Sequence, residues 1–234
     1  MALPDFATAW SQVVKPRAIK RAPQRRAKPS PRRVVAFDLA ANVAAVDAVE
    51  LPTRANLGLQ LEPQQKSNWC WAAVALSIAR QFGGGQVQSQ CQLATLITGQ
   101  PCCPANPATP IAFDDPIGNI PFELPPVLQQ VGFSTPVTEG WRNMAVAREL
   151  VRSTIGGRGR PLAVKVFWSD RSSAHYVVID AYIDDETVNA DQIVSVVDPL
   201  YGRRPPMTLF DFVWVYPHPH DNSVTAEWFE AYHV

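Results

Sequence analysis

The stretch Gln64-Gln65-Lys66-Ser67-Asn68-Trp69-Cys70-Trp71-Ala72-Ala73 decides how the rest of the chain is organised. From Cys70 to Phe82 apolar residues cover nearly every side of a helix, which predicts a helix buried all round. Ser67 and Asn68, just before it, are candidate N-caps. A cysteine in the first turn of such a helix meets the positive end of the helix dipole, which favours the thiolate. The stretch therefore predicts a reactive cysteine.

The charge of the 234-residue chain is zero overall but unevenly spread. Residues 1–33 contain nine Lys or Arg and one acidic residue, net +8, and residues 34–234 contain 12 basic and 20 acidic residues, net −8. Prolines and charges alternate from Lys15 to Arg33, which predicts a disordered basic leader. We place this leader at residues 1–60 and a single domain at 61–234, with the apolar part of 34–60 forming a short strand or helix against the domain.

The leader suits an export machine or another anionic partner, or simply solvent, and we do not expect nucleic-acid binding. No run approaches the roughly 20 apolar residues that span a bilayer, so no membrane span is expected. The N-terminus also lacks the pattern of a general secretory signal. Localisation stays open between the cytoplasm and a specialised secretion route.

Helix-type patterns come first in the domain and strand-type patterns follow. The apolar spacing predicts helices over 70–82, 89–98, 124–131 and 144–155, with a proline-rich loop over 101–121. Short β-branched or aromatic runs predict strands over 162–168, 175–183, 193–198 and 207–216. This order is typical of an α+β domain with an antiparallel sheet against a helical layer.

A nucleophilic cysteine needs a base, and that base needs an orienting group. Of the four histidines, only His175 opens a predicted strand; the others lie in a proline-rich stretch or near the C-terminus: His218, His220 and His233. Strand alternation puts Asp180 on the face opposite His175. Asp198 ends the next strand where the backbone turns away at Pro199. We therefore predict a Cys70 thiolate paired with the His175 imidazolium, with Asp198 as the orienting group.

These residues resemble the papain-like cysteine peptidases, and within them a compact bacterial group that includes effector proteases of plant pathogens. The resemblance runs from about Gln64 to Gly202. It rests on five pieces in order: Gln64 six residues before Cys70, Trp69-Cys70-Trp71-Ala72-Ala73, Cys91 followed by Cys102-Cys103, His175-Tyr176-Val177-Val178, and Val197-Asp198-Pro199-Leu200. It implies a papain-like fold, in which an N-terminal helical lobe packs on a C-terminal antiparallel β-sheet lobe with a substrate cleft between them.

Carried over residue by residue, the resemblance implies Cys70 as nucleophile, His175 as general base and acid, and Asp198 as orienting group. It also implies Gln64 as an oxyanion-hole donor together with the backbone N–H of Cys70. Three positions differ from the plant and lysosomal papains: Ser67 stands in place of a cysteine, Ala174 in place of a frequent glycine, and Asp198 in place of a frequent asparagine. These differences narrow the likeness to the bacterial group.

The remaining cysteines do not match the paired Cys-x-x-Cys spacing of zinc sites. We expect a structural disulfide from Cys91 to either Cys102 or Cys103, which would stay open in a reducing cytoplasm. No metal or cofactor is expected, and His218 and His220 are interpreted as surface residues.

The sequence thus predicts a papain-like cysteine protease, a hydrolase that cleaves peptide bonds in a protein or peptide substrate. Acyl transfer to an amine, or cleavage of a ubiquitin-like or leader-peptide junction, would use the same triad. A non-catalytic papain-like fold that binds a partner through its cleft or leader is a third alternative. If these residues had structural roles only, Cys70 would be an inert buried cysteine, His175 would make a strand-end hydrogen bond and Asp198 would belong to an Asp-Pro turn.

Overall fold

In a computed structural model of the chain, the described residues are 51–85, 87–133, 137–139, 143–169, 173–184, 191–218 and 226–233. They belong to the compact unit Leu51–Val234. The predicted basic leader therefore lies outside the described residues, apart from 51–60. Within that part, Arg54–Asn56 forms strand β1, and Leu59 is buried. A short strand packed on the domain agrees with the expectation for the end of this segment.

Three helices precede the main strands: α1 (Cys70–Phe82), α2 (Gln90–Thr98) and α3 (Leu124–Gln130). Ten consecutive residues of α1, from Cys70 to Ala79, are buried, as its all-round apolar pattern predicted. The helix ends at Gly83, whose φ of 82° is the left-handed conformation that glycine adopts at low cost. A side chain at the next position, Gly84, would lie 2.6 Å from the carbonyl oxygen of Val131.

Helix α4 (Met144–Val151) continues into a π-helical turn, Arg152–Gly157, over the region predicted as one helix. The remaining strands are β2 (Val137–Glu139), β3 (Leu162–Trp168), β4 (Ala174–Ile183), β5 (Ile193–Asp198), β6 (Gly202–Arg203), β7 (Met207–Thr208) and β8 (Ala226–His233). The order across the sheet is β2-β8-β3-β4-β5-β6, with β1 paired to β4 and β7 to β5. Every pairing is antiparallel.

The predicted strand over 207–216 is wrong beyond its first two residues. Leu209–Val215 instead forms helix α5, and the side chain of Thr208 caps it by accepting a hydrogen bond from the Asp211 N–H. The buried positions of α5 are Leu209, Phe212 and Val213, a spacing of three and four residues. Because almost every residue of the run also suits a strand, its composition concealed this helical period. The sequence interpretation also did not include strands β2 and β8.

The sheet is covered on both faces. Ala163, Tyr176 and Val178 belong to the core shared with α1, α2 and α3, whereas Val164 and Val177 belong to the core shared with α4 and α5. The predicted α+β architecture, a helical lobe packed on an antiparallel sheet, is therefore confirmed. Among the described residues, none of the helices has the length and apolar character that crossing a membrane requires.

Candidate active site

Cys70 is the first residue of α1 and is 7% exposed. The helix begins after Trp69, and no side chain makes a capping hydrogen bond there. Ser67 and Asn68, expected as N-caps, are turned elsewhere: the Ser67 hydroxyl accepts from Asn119 Nδ2 at 2.8 Å, and Asn68 Nδ2 donates to the Asn119 carbonyl at 3.1 Å. The N-cap prediction is therefore wrong, because a partner from a distant loop uses both side chains.

That distant loop, residues 113–120, cradles the turn before the cysteine. Lys66 is 1% exposed, and its ammonium donates to Asp115 Oδ2 at 2.8 Å and to the Ile117 carbonyl at 2.5 Å. The Trp69 indole N–H donates to the Gly118 carbonyl at 2.8 Å. Both donor residues, Lys66 and Trp69, lie within four residues of Cys70. The loop therefore fixes the backbone that presents the thiol.

His175 lies at the start of β4 and is 6% exposed. Its Nε2 lies 2.9 Å from Asp198 Oδ1, so Nδ1 is the ring nitrogen left to face Cys70. Burial alone would lower the pKa of His175, but hydrogen bonds with Asp198 and Cys70 and the negative charge on both outweigh it and raise that pKa to about 10. At neutral pH the imidazole is therefore protonated, with the Asp198 carboxylate on its Nε2 side.

Asp198 ends β5 and is 1% exposed. Oδ1 accepts from His175 Nε2 and from the Leu200 N–H at 2.8 Å, and Oδ2 accepts from the Tyr216 hydroxyl at 2.7 Å. Burial raises the pKa of Asp198, but the hydrogen bond and charge of His175, with smaller contributions from Tyr216 and Leu200, bring it below its ordinary value. Asp198 is thus an ionised carboxylate with a donor on each oxygen.

Gln64 reaches the site through its backbone, because its N–H donates to the Pro199 carbonyl at 2.8 Å. Its side chain is 6% exposed, and the amide Nε2 donates to the carbonyls of Lys66 and Ser67 at 3.0 and 2.8 Å. Its Oε1 is buried without a hydrogen-bond partner. In this resting structure both amide protons are therefore directed at the turn before Cys70.

A sequence model described as the papain-like cysteine protease AvrRpt2 matches residues 52–216, well over half of the chain. The chain belongs to this family. The resemblance inferred from the five sequence pieces is confirmed, and with it the assignment of the chain as a papain-like cysteine protease, a hydrolase, in a family of plant-pathogen effectors. No curated protein matches the chain.

In this AvrRpt2-family protease, Asp180 lies away from the histidine, on the face expected from strand alternation. Its carboxylate accepts two hydrogen bonds from Arg203, at 2.8 and 2.7 Å, and one from the Leu59 N–H at 2.8 Å. Asp180 is fully buried. It therefore ties the segment that leads to Gln64 onto the sheet, and it does not orient His175.

Tyr176, the neighbour of His175, faces the helical lobe. Its hydroxyl donates to Glu123 Oε2 at 3.0 Å and accepts from the Leu124 N–H at 3.1 Å. Lys165, on the adjacent strand, donates to both oxygens of Glu123 at 2.7 and 2.6 Å. These bonds attach the start of α3 to the sheet beside the histidine.

Among the other cysteines, Cys91 and Cys103 form a disulfide, and Cys102 is a buried free thiol. A cavity of about 580 Å³ is lined by this disulfide, by Gln65 and by a proline-rich segment that ends at Ile111. Within the described part of the chain, no group of three or more His, Cys, Asp or Glu residues could hold a metal ion. His218 is half-buried with its ring 5.0 Å from Trp168, and His220 lies outside the described residues.

The sequence interpretation did not identify Tyr216, Lys66 or the loop at 113–120 as parts of this site. Tyr216 fell in a run interpreted as a strand, although the capping pair Thr208 and Asp211 was a local signal for a helix there. Lys66 looked like a solvated charge in a polar turn. Its burial becomes visible only when Asp115, 49 residues away in sequence, is placed beside it.

Proposed function

We propose that this cysteine peptidase hydrolyses peptide bonds through a Cys70-His175-Asp198 triad, with Gln64 and the Cys70 N–H as oxyanion donors. The observation that supports the triad most directly is the buried His175, whose Nε2 lies 2.9 Å from Asp198 Oδ1 and whose pKa is raised by both Asp198 and Cys70. An imidazolium between a carboxylate and a thiolate is the arrangement that makes a cysteine nucleophilic near neutral pH.

In the acylation step, the Cys70 thiolate forms a bond to the carbonyl carbon of the substrate, and the electron pair of the C=O bond moves to oxygen. The backbone N–H of Cys70 stabilises that oxyanion, joined by the Gln64 amide once it turns from the carbonyls of Lys66 and Ser67. When the C–N bond breaks, the His175 imidazolium transfers its proton to the departing amine. The products are a free amine and an acyl-enzyme thioester, with neutral His175.

In the deacylation step, His175 takes a proton from water, and the resulting hydroxide equivalent attacks the thioester carbon. The C–S bond then breaks, which releases a carboxylic acid and restores the thiolate and the imidazolium. Asp198 accepts the Nε2–H hydrogen bond throughout, so the ring keeps Nδ1 towards sulfur in both steps. The sum of the two steps is amide plus water giving acid plus amine, with no cofactor consumed.

Active-site labelling tests this proposal. A peptidyl epoxide should alkylate Cys70 of the wild-type protein, detected as a mass shift on the peptide that contains it, and Cys70→Ala should abolish both labelling and peptide hydrolysis. Cys102→Ala is the matched control, because it removes the other free thiol and should change neither. His175→Gln should slow the labelling of Cys70 by at least tenfold. Peptide hydrolysis that survives Cys70→Ala would refute the proposal.

The proposal also covers the class of substrate and the partner of the basic leader. Peptide or protein is the substrate class, and the basic residues before 34 are proposed to contact export machinery or another anionic partner. Hydrolysis and acyl transfer are separated by the mass of the product formed with and without an added amine. A product that carries the amine would identify a transferase instead of a hydrolase.

A further inference from the structure

The two oxygens of the Asp198 carboxylate accept hydrogen bonds from different residues, and the donor to Oδ2 is Tyr216. Oδ1 already accepts two hydrogen bonds, from His175 and from the Leu200 N–H, whereas Oδ2 accepts the 2.7 Å bond from the Tyr216 hydroxyl. Without the tyrosine, a buried carboxylate oxygen would lose its donor, which is costly in an apolar interior. The tyrosine bond therefore fixes the plane of the carboxylate as well as its charge.

Tyr216 is itself held in place by two elements other than β5. It follows α5 and is 2% exposed, and its ring packs edge-on against Phe212 with centroids 5.2 Å apart. It also stacks on Trp168, with centroids 6.3 Å apart and planes 11° from parallel. Trp168 ends β3, two residues beyond Val166, which is the cross-strand partner of His175. The two ring contacts thus hold the tyrosine whose hydroxyl bonds to Asp198.

We propose that Tyr216 is a positioning residue of this site, whose hydroxyl orients Asp198 and, through Asp198, the imidazole of His175 towards Cys70. The inference rests on the proposed function. The hydrogen bonds run from the tyrosine hydroxyl to Asp198 Oδ2, and from His175 Nε2 to Asp198 Oδ1. Any rotation of the carboxylate about its Cβ–Cγ bond would misalign the histidine. The Tyr216 hydroxyl bonds to the carboxylate, so its effect on the reaction passes through Asp198.

A buried tyrosine could equally serve only to fill the core, and Tyr216→Phe separates the two roles because it keeps the ring and removes the hydroxyl. We expect kcat for peptide hydrolysis to fall about ten- to a hundredfold, the loss associated with one hydrogen bond to a charged group, and KM to stay within twofold. The matched control is Tyr182→Phe. Tyr182 is also fully buried, but its hydroxyl donates to the Pro52 carbonyl at 2.5 Å, so kcat should not change.

A proton NMR signal of the folded protein distinguishes the two roles, because a tyrosine that only fills the core would not affect it. The Nε2–H of His175, hydrogen-bonded to a buried carboxylate, should resonate far downfield and exchange slowly with water; its assignment is checked by its loss in His175→Gln. In Tyr216→Phe we expect the signal to broaden through faster exchange, whereas in Tyr182→Phe it should persist. An unchanged signal together with unchanged kcat in Tyr216→Phe would overturn the proposal.

The variant Tyr216→Phe/Asp198→Ala covers the case in which Tyr216→Phe folds poorly. In the Asp198→Ala background no carboxylate oxygen remains to lose its donor, so Tyr216→Phe should lower the melting temperature less there than in the wild-type background. An equal loss in both backgrounds would place the defect in ring packing and overturn the proposal. A wild-type protein without peptidase activity would refute the proposed function, yet the NMR and melting experiments would still decide the role of Tyr216.

Discussion

The backbone N–H of Gln64 donates a 2.8 Å hydrogen bond to the carbonyl of Pro199. This bond joins the segment that leads to the nucleophile with the turn that directly follows Asp198. The cysteine and the aspartate lie on different lobes and 128 positions apart in the numbering, and yet a single backbone contact brings their neighbourhoods together.

Gln64→Ala is expected to lower kcat/KM by about 10²–10³, the usual loss on removal of one oxyanion donor. The rate at which iodoacetamide alkylates Cys70 should change far less, because that displacement forms no oxyanion. Gln65→Ala is the matched control, since its exposed side chain lies one residue further along, and kcat should be unaffected. If Gln64→Ala slows alkylation as much as hydrolysis, then the amide acts only by holding the carbonyls of Lys66 and Ser67.

Stability should depend on pH through His175. Its pKa is raised in the folded protein to about 10, above the ordinary value near 6.5, so the folded state binds the proton more tightly than the unfolded chain. This contribution is fully present below about pH 6.5 and is lost as the pH rises towards about 10. Urea unfolding across this range should show the wild-type free energy of unfolding falling relative to that of His175→Gln. A constant difference between the two proteins would contradict the raised pKa.

Lys66→Met should destabilise the protein by about 2 kcal/mol, the loss associated with hydrogen bonds to a charged group. Lys66 is 1% exposed and its ammonium bonds to Asp115 Oδ2 and to the carbonyls of Asp115 and Ile117, so methionine leaves these three acceptors without this donor. Thermal unfolding would measure the effect, and a slower alkylation of Cys70 should accompany it. Asp115→Asn, which retains an oxygen acceptor at a partly exposed position, is expected to change much less. Equal losses in the two variants would assign the effect to the ion pair alone.

Removing the disulfide in Cys91→Ser/Cys103→Ser should cost about 3 kcal/mol by the chain-entropy relation, because the two cysteines close a loop with a sequence separation of 12. Equilibrium unfolding in urea would measure this free energy. Cys102→Ala, which keeps the disulfide, is the comparison variant. A double-serine variant as stable as the wild type would show that the disulfide does not restrict the unfolded chain.

Several elements could be predicted from the sequence because their signals are local. The buried helix over 70–82 and the strands over 162–168 and 193–198 have the predicted bounds, since each is specified by its own apolar pattern and flanking turn residues. The strand predicted over 207–216 was wrong because its local signal was ambiguous. A run in which almost every residue is apolar or β-branched fits the periods of both a helix and a strand, and packing against the sheet then decides which of them forms.

The sequence does not predict which residue a side chain bonds to when the path of the chain determines that partner. The prediction left Cys102 and Cys103 equally open as partners of Cys91, and only the position of the loop selects Cys103. Ser67 and Asn68 have the side chains of good N-caps, yet both side chains form hydrogen bonds with Asn119 instead. Local propensity contributes about 1 kcal/mol at such a position, and a competing tertiary hydrogen bond of similar strength can therefore override it.

The sequence by itself determined which groups are available for chemistry: a cysteine at a helix start, a histidine opening a strand, an aspartate ending the next strand and a glutamine upstream. Those assignments follow from residue type and local periodicity. Only the tertiary structure decided what each group touches: Tyr216 on Asp198, the 113–120 loop around Lys66, and the carbonyls of Lys66 and Ser67 on the Gln64 amide. The physical reason is that hydrogen bonds act over about 3 Å, while the residues that make them can be some 50 positions apart in the chain.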